Sequence, residues 1–222
     1  MSAVLEIGEV SVEAGEIVAL LGGNGAGKTT LLETVLGFHP GRVMLFGRDA
    51  SALAVEQRIG LGVGYVPEGR RVFAGLTVRE NLLLAARAGD IDAERLRWVF
   101  GLFPALKKFW SLPAGFLSGG QKQMLSIARA IIEPRKLFLI DEPSKGLAPA
   151  IIVNMIAAFR ELKQTAATIL LVEQNFMFAK SLGDTVAVMD NGRVIHAGSM
   201  AELAEDRDLQ HRLLGLSLDS HQ

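Results

Sequence analysis

Ile17-Val18-Ala19-Leu20-Leu21-Gly22-Gly23-Asn24-Gly25-Ala26-Gly27-Lys28-Thr29-Thr30 is an apolar run that stops at a glycine-rich turn and passes into a helix-like stretch reaching Leu36. Five apolar residues without alternation read as a strand buried on both faces of a parallel sheet. The turn has the spacing Gly-x4-Gly-Lys-Thr. Residues without side chains let successive backbone N–H groups face one anion, and the helix beginning there adds the positive end of its dipole. Lys28 suits β- and γ-phosphate oxygens, and the Thr29 hydroxyl suits Mg²⁺. An ordinary glycine-rich turn is the alternative, disfavoured because this one both follows a strand and opens a helix.

Other runs of the same kind are Leu137 to Ile140, Thr168 to Val172 and Val186 to Met189. Asp190-Asn191-Gly192-Arg193 predicts a tight hairpin returning through Val194-Ile195-His196. Ser199-Met200-Ala201-Glu202 reads as a capping box opening a last helix through about Leu214. Strands alternating with helices imply a layered α/β core. From about Thr77 to Phe116 the pattern changes: Leu82, Leu83, Ala86 and then Leu96, Val99, Phe100, Phe103 recur at helical spacing, with no strand signal. The last few residues alone read as loose.

The 222 residues allow one substantial core, or one core with a lobe. Lys and Arg total 23 against 24 Asp and Glu, a net charge of −1, and the basic residues are dispersed; both facts argue against nucleic acid as a partner. Absence of cysteine excludes disulfides and thiolate metal sites and fits a reducing compartment. Met1 to Glu6 carries no signal-peptide pattern, and no apolar stretch approaches the roughly 18 residues of a membrane span. Mean hydropathy is nevertheless +0.31, which predicts some surface covered by partners.

Three further segments carry chemistry. Leu137-Phe138-Leu139-Ile140-Asp141-Glu142-Pro143 is a strand so apolar that only its acidic tip should reach solvent; answering a nearby helix N-terminus is its structural alternative. In Leu117-Ser118-Gly119-Gly120-Gln121, Ser-x-x-Gln is a capping box for a helix running to about Ile132 before Pro134. Two glycines in a first turn each cost roughly 1 kcal/mol relative to alanine. They make sense if that turn stays bare for an approaching phosphate. Ser144-Lys145-Gly146-Leu147-Ala148-Pro149 links strand to helix, with Pro149 at a first helical position where its missing N–H costs nothing.

A phosphate loop, an LSGGQ and an apolar strand ending in Asp-Glu, in that order, resemble an ABC-transporter ATPase subunit over nearly the whole chain. The resemblance implies a P-loop NTPase (RecA-like) α/β core with a mainly parallel sheet, an antiparallel β portion and an inserted helical subdomain. The expected divisions are residues 1–76, the helical subdomain 77–116, and 117–222. It further implies ATP on Gly22, Gly23, Asn24, Gly25, Ala26, Gly27, Lys28, Thr29 and Thr30. Mg²⁺ would be held by Thr29, Asp141 and Glu68, with Glu142 polarising the attacking water. In that family Ser118, Gly119, Gly120 and Gln121 close over the ATP of a second cassette, and residues 144–149 touch their counterpart across the dimer.

Three departures from the family's pattern stand out. Glu68 occupies a position usually held by glutamine, Gln174 one usually held by a histidine that contacts the γ-phosphate, and no aromatic residue precedes Phe38 to stack on adenine. The opening is expected to lack the strand bearing that aromatic, and Gly23 is a minor oddity. An amide at Gln174 can donate a hydrogen bond but cannot be protonated. Val66-Pro67-Glu68-Gly69-Arg70-Arg71-Val72-Phe73 with Val172-Glu173-Gln174-Asn175 narrows the resemblance to the ATP-binding subunits of branched-chain amino-acid uptake systems.

That implies an identical or homologous second cassette, two integral membrane permease subunits, indirectly a solute-binding protein, and a peripheral place on the cytoplasmic face of the inner membrane. Val72 and Phe73 are expected to line the groove for a permease helix, or else to be core. The alternatives are a urea or amide importer, a regulatory cassette with weak hydrolysis, and a DNA-repair-type ATPase. The last would bring coiled-coil insertions and basic surfaces that this chain lacks.

Overall fold

The computed structural model describes residues 3–86 and 89–215. The elements run β1 (Ala3–Ile7), β2 (Val10–Glu13), β3 (Ile17–Leu21), α1 (Lys28–Leu36), β4 (Met44–Leu45), β5 (Arg48–Asp49), α2 (Val55–Gly60) and β6 (Val63–Val66). Next come α3 (Val78–Leu83), α4 (Ala93–Leu102), α5 (Pro104–Lys108), a 3-10 turn at Ala114–Phe116, α6 (Gly119–Ile131), β7 (Leu137–Asp141) and α7 (Pro149–Gln164). The chain continues through β8 (Thr168–Glu173), α8 (Phe176–Lys180), β9 (Thr185–Asp190), β10 (Arg193–Ser199), α9 (Met200–Glu205) and α10 (Arg207–Leu214).

Six strands form one sheet in the order β10-β9-β3-β8-β7-β6, parallel throughout except for the antiparallel edge strand β10. Every residue of β3, β7 and β8 is buried, as the unbroken apolar runs require. A small antiparallel sheet, β2-β1-β4-β5, lies over one face. Leu5, Val12 and Leu45 from it pack with Leu20, Leu139 and Val172 of the large sheet and with Leu32 and Val35 of α1. The opposite face is covered by a second cluster in which Ile140 and Ile169 meet Leu125 and Ile131 of α6 and Phe159 of α7.

Helices do fill the stretch read as helical, with Val78, Leu82, Val99, Phe103 and Leu106 buried. Their apolar residues belong to the same cluster as the underside of the sheet, and α3 and α5 pack on α6. The helices therefore share a core with residues beyond 116.

Two expectations are corrected. The last helix is two helices: Asp206 ends α9 and caps α10 by accepting from Leu209 N–H. Ser199 accepts from Ala201 N–H rather than from Glu202, so the capping box does not form. Two strands, β1 and β2, precede the phosphate-loop strand, and neither contains an aromatic residue. The expectation of a loose end falls on residues outside the described ones.

Arg58, 2% exposed, ties the far end of α1 into this core. Its Nη1 donates to Thr34 O and Val35 O at 2.7 and 2.9 Å, Nε to Leu53 O at 2.9 Å and Nη2 to Ser51 O at 3.1 Å. A cation on the last carbonyls of a helix answers the negative end of its dipole. Gly37 follows with φ +96°, and a Cβ there would stand 3.1 Å from Arg58 Nε. Arg58→Met leaves four carbonyls, that of Val35 buried and the others partly so, without this donor; urea unfolding is expected to register a loss of about 3 kcal/mol with little change in slope.

Candidate nucleotide site

The carboxyl ends of parallel strands are where open α/β sheets place ligands, because loops there diverge and leave a crevice. β3 ends in the phosphate loop, β7 in Asp141-Glu142, β8 in Glu173-Gln174 and β6 leads to Glu68. Four candidate segments scattered over 150 residues of sequence are thus drawn to one edge of the sheet.

Gly27 caps α1 with φ +97° and without a side-chain hydrogen bond, leaving the first N–H groups of that helix open to a ligand. A Cβ on Gly22 would fall 2.4 Å from Met189 O, so that glycine is required by close approach. Gly23 faces open space, and a side chain would fit there. Lys28 is 4% exposed; its ammonium donates to Gly22 O and Gly23 O at 2.7 and 2.8 Å and lies 3.5 Å from Glu142 Oε1. Beside the loop a cleft of about 990 Å³ is lined by Gly8, Thr30, Leu31, Asn191 and Val194 among others, none of them aromatic.

Thr29 Oγ1 donates to Asp141 Oδ2 at 3.1 Å. The other oxygen, Asp141 Oδ1, is buried with no hydrogen-bond partner. A buried acceptor left bare beside a threonine hydroxyl and an anion-binding loop fits a divalent cation that travels with a phosphate. Burial pushes the Asp141 carboxyl up to about 6, opposed by the Thr29 hydroxyl. Burial also acts on Glu142, but hydrogen bonds from Gln174 and Lys145, with the charge of Lys28, hold it below the usual carboxylate range. Neighbouring carboxylates are thereby set in opposite directions.

Glu142 has φ +43°, a left-handed conformation costly for a residue with a Cβ. Its N–H donates to Val172 O at 2.9 Å, which holds the strained turn in place. Gln174 Nε2 donates both to Glu142 Oε1 at 2.5 Å and to Asn24 Oδ1 at 2.7 Å. One amide thus joins the phosphate loop to the acidic tip, an arrangement a protonated imidazole would not leave neutral.

Glu173 was not singled out by sequence, although a carboxylate ending an apolar strand was the signal used for Asp141. It is 2% exposed and accepts from the N–H groups of Ser144, Gln174 and Asn175. Burial raises its pKa against the pull of those bonds. It fixes the loop after Glu142 to the loop that carries Gln174.

Ser118 and Gln121 form the complete capping box, Gln121 N–H to Ser118 Oγ at 3.3 Å and Ser118 N–H to Gln121 Oε1 at 2.9 Å. The bareness of the two glycines also has a use within the chain. A Cβ on Gly119 would lie 2.3 Å from Arg70 Nη1, and one on Gly120 would lie 3.0 Å from Ile151. Arg70 Nη2 donates to Lys145 O and Gly146 O at 2.9 and 2.7 Å. Among the described residues no hydrogen bond or ion pair joins 118–121 to 22–30. Glu68 is paired with Lys145 at 2.8 Å, and its charge contributes to the upward shift of Asp141. Arg70 and Lys145 were read only as members of the segments 66–73 and 144–149; their contacts with the 118–121 turn and the acidic tip come from folding alone.

The profile of the ABC transporter family matches residues 5–145. The chain belongs to that family. It is 40% identical over 211 residues to the high-affinity branched-chain amino acid transport ATP-binding protein BraG of Pseudomonas aeruginosa, covering 93% of this chain and 91% of that one. The probable branched-chain amino acid transport ATP-binding protein LivF of Archaeoglobus fulgidus is 36% identical, covering 94% and 91%. Among solved structures, the ADP conformation of MJ1267, an ATP-binding cassette of an ABC transporter, superposes with a TM-score of 0.76 at 26% identity, covering 93% of this chain and 91% of that one. A nucleotide-free cassette from an ABC transporter gives 0.79 at 23% identity, covering 97% and 100%, a likeness of fold. The protein is an ATP-hydrolysing subunit of an ABC transporter, most like the branched-chain amino-acid type.

The raised pKa of Asp141 has a sign that can be tested. The folded chain holds this proton more tightly than the unfolded one, so ionisation weakens the fold as pH rises from about 4 to about 6. Above that range the penalty is complete. In the metal-free, nucleotide-free cassette, Asp141→Asn is expected to add about 1–3 kcal/mol of stability near pH 7.5 and to lose that gain near pH 4, read by urea titration. An equal gain at both values would remove the charge as its cause.

Proposed function

We propose that this cassette energises uptake of branched-chain amino acids or related small solutes through partner membrane permeases. The observation that carries the catalytic reading is the Gln174 amide bridging Asn24 of the phosphate loop and Glu142. It puts a neutral donor against the one strained carboxylate at the mouth of the anion nest.

In this reading ATP lays its phosphates along residues 22–30, and Lys28 exchanges the carbonyls of Gly22 and Gly23 for β- and γ-phosphate oxygens. Thr29, Asp141 and Glu68 would hold Mg²⁺, which would supply positive charge against that of the phosphates. Glu142 polarises the attacking water, and Gln174 keeps its carboxylate aimed without titrating. Ser118 to Gln121 of one cassette close over the ATP of a second, identical or homologous. Closure follows from ATP binding the paired state more tightly than the open one. Hydrolysis then releases the pair.

The permeases are fed by a solute-binding protein, and the cassette sits peripherally on the cytoplasmic face of the inner membrane. Among the described residues no helix is long and apolar enough to cross a membrane. A groove of about 530 Å³, lined by Pro67, Arg71, Val72, Phe73, Ala85 and Arg129, is assigned to a permease helix. Phe73 is half exposed there, with the Arg129 guanidinium 4.7 Å above its ring.

Glu142→Gln is expected to bind ATP, to accumulate as a closed dimer in size-exclusion chromatography, and to hydrolyse at least about a hundredfold more slowly. Wild-type turnover in that variant would remove Glu142 from the mechanism. Phe73→Glu is expected to abolish co-purification with the permease subunits while leaving nucleotide binding intact; an assembled complex would place the groove elsewhere.

A further inference from the structure

Glu68 and Lys145 meet at the acidic tip. Lys145 Nζ donates to Glu68 Oε1 at 2.8 Å and stands 3.0 Å from Glu142 Oε2. Glu68 follows the end of β6, whereas Lys145 lies three residues past Glu142. The backbone of Lys145 is held from behind by Arg70, whose Nη2 spans the carbonyls of Lys145 and Gly146. Arg70 itself is kept at φ +57°. Two residues of the 68–70 segment thus grip one loop twice, and the second grip aims the ammonium of the first.

Charge around this corner explains why such a grip is needed. Glu68, Asp141 and Glu142 bring three carboxyl groups into mutual electrostatic range. Lys28 faces the phosphate loop and Glu142 Oε1. Among the described residues Lys145 forms the ion pair of Glu68, and it covers the Glu142 oxygen that Lys28 does not. The Glu68 and Lys145 side chains are 43% and 52% exposed, where an isolated pair would be worth little, but Glu142 is only 7% exposed.

We propose that Lys145 is a resident counter-ion that competes with the divalent cation for Glu68 and covers Glu142 Oε2 until the metal–nucleotide complex draws Glu68 away. Lys145 is thus a positioning residue, and the Glu68–Lys145 pair sets the metal concentration at which the site fills. The inference rests on the reading of this site as one for Mg-ATP.

The test uses the full chain and a fluorescent, non-hydrolysable ATP analogue, titrated with Mg²⁺ and also measured without divalent metal. Lys145→Met is expected to lower the half-maximal Mg²⁺ concentration about three- to fivefold, while its affinity for metal-free analogue changes less. Lys145→Arg, which keeps the charge, is expected to stay near wild type. In a Glu68→Gln background the effect of Lys145→Met is expected to shrink to less than half, because the shared carboxylate is gone. A merely through-space charge effect would persist there undiminished, and that result overturns the proposal. So does a Lys145→Met variant with normal nucleotide binding and an unmoved Mg²⁺ dependence. Failure of the wild-type chain to bind the analogue at all would overturn the ATP-site reading, and this inference with it. Should Lys145→Met fail to fold, Lys145→Gln takes its place in both backgrounds: an unmoved Mg²⁺ dependence, or a shift that persists undiminished with Glu68→Gln, overturns the proposal.

Discussion

Placing two carboxylates at the tip of a fully buried strand is the constraint to which the rest of this site responds. β7 is buried from Leu137 to Asp141, and Glu142 beyond it is 8% exposed. Charges so poorly hydrated must be met by donors and cations, or give up their charge. The chain uses both answers. Asp141, with one oxygen on Thr29 and the other bare, is pushed toward its neutral form. Glu142, with Gln174, Lys145 and Lys28 around it, is held ionised.

That division assigns different chemistry to adjacent residues. The under-served carboxylate is the one that gains most from an arriving metal ion, since a cation repays the burial that protonation now relieves. The well-served carboxylate keeps its negative charge, as the proposed role of polarising a water requires. Its backbone strain at φ +43° persists because Val172 O, Gln174 and two lysines over-determine its position. The arrangement is therefore self-compensated: Lys28 donates to the carbonyls of its own loop and Lys145 pairs with Glu68.

Stability and function share α1. Its N-terminus is the uncapped nest, and its C-terminus is held by the buried Arg58, so the helix is anchored at the end that binds nothing. The turn at Ser118–Gln121 is anchored in a comparable way. Its capping box, Arg70 over Gly119 and Ile151 against Gly120 are all satisfied inside one chain. A second cassette would meet a preformed surface, with less order to impose on it.

Much of this was legible in the chain itself. Short apolar runs closed by glycine or acid fit interior strands of a parallel sheet better than helices, so β3, β7, β8 and β9 were readable with near-correct ends. The phosphate loop was readable because its chemistry is local backbone geometry within nine residues. β6 was not, since Gly64 interrupts Val63-Gly64-Tyr65-Val66; that glycine answers the close approach of Arg135 and Phe138 from elsewhere in the fold. The break at Asp206 was hidden because helical spacing continues across it. What only the tertiary structure decided is which distant side chains meet: Gln174 with Asn24, Glu173 with Ser144, Arg70 with Gly146, and Lys145 with Glu68. Sequence determines local geometry through sterics and hydrogen bonding along the chain, whereas the balance of charge at a buried site depends on neighbours separated by up to 150 residues, which only the packed sheet brings together.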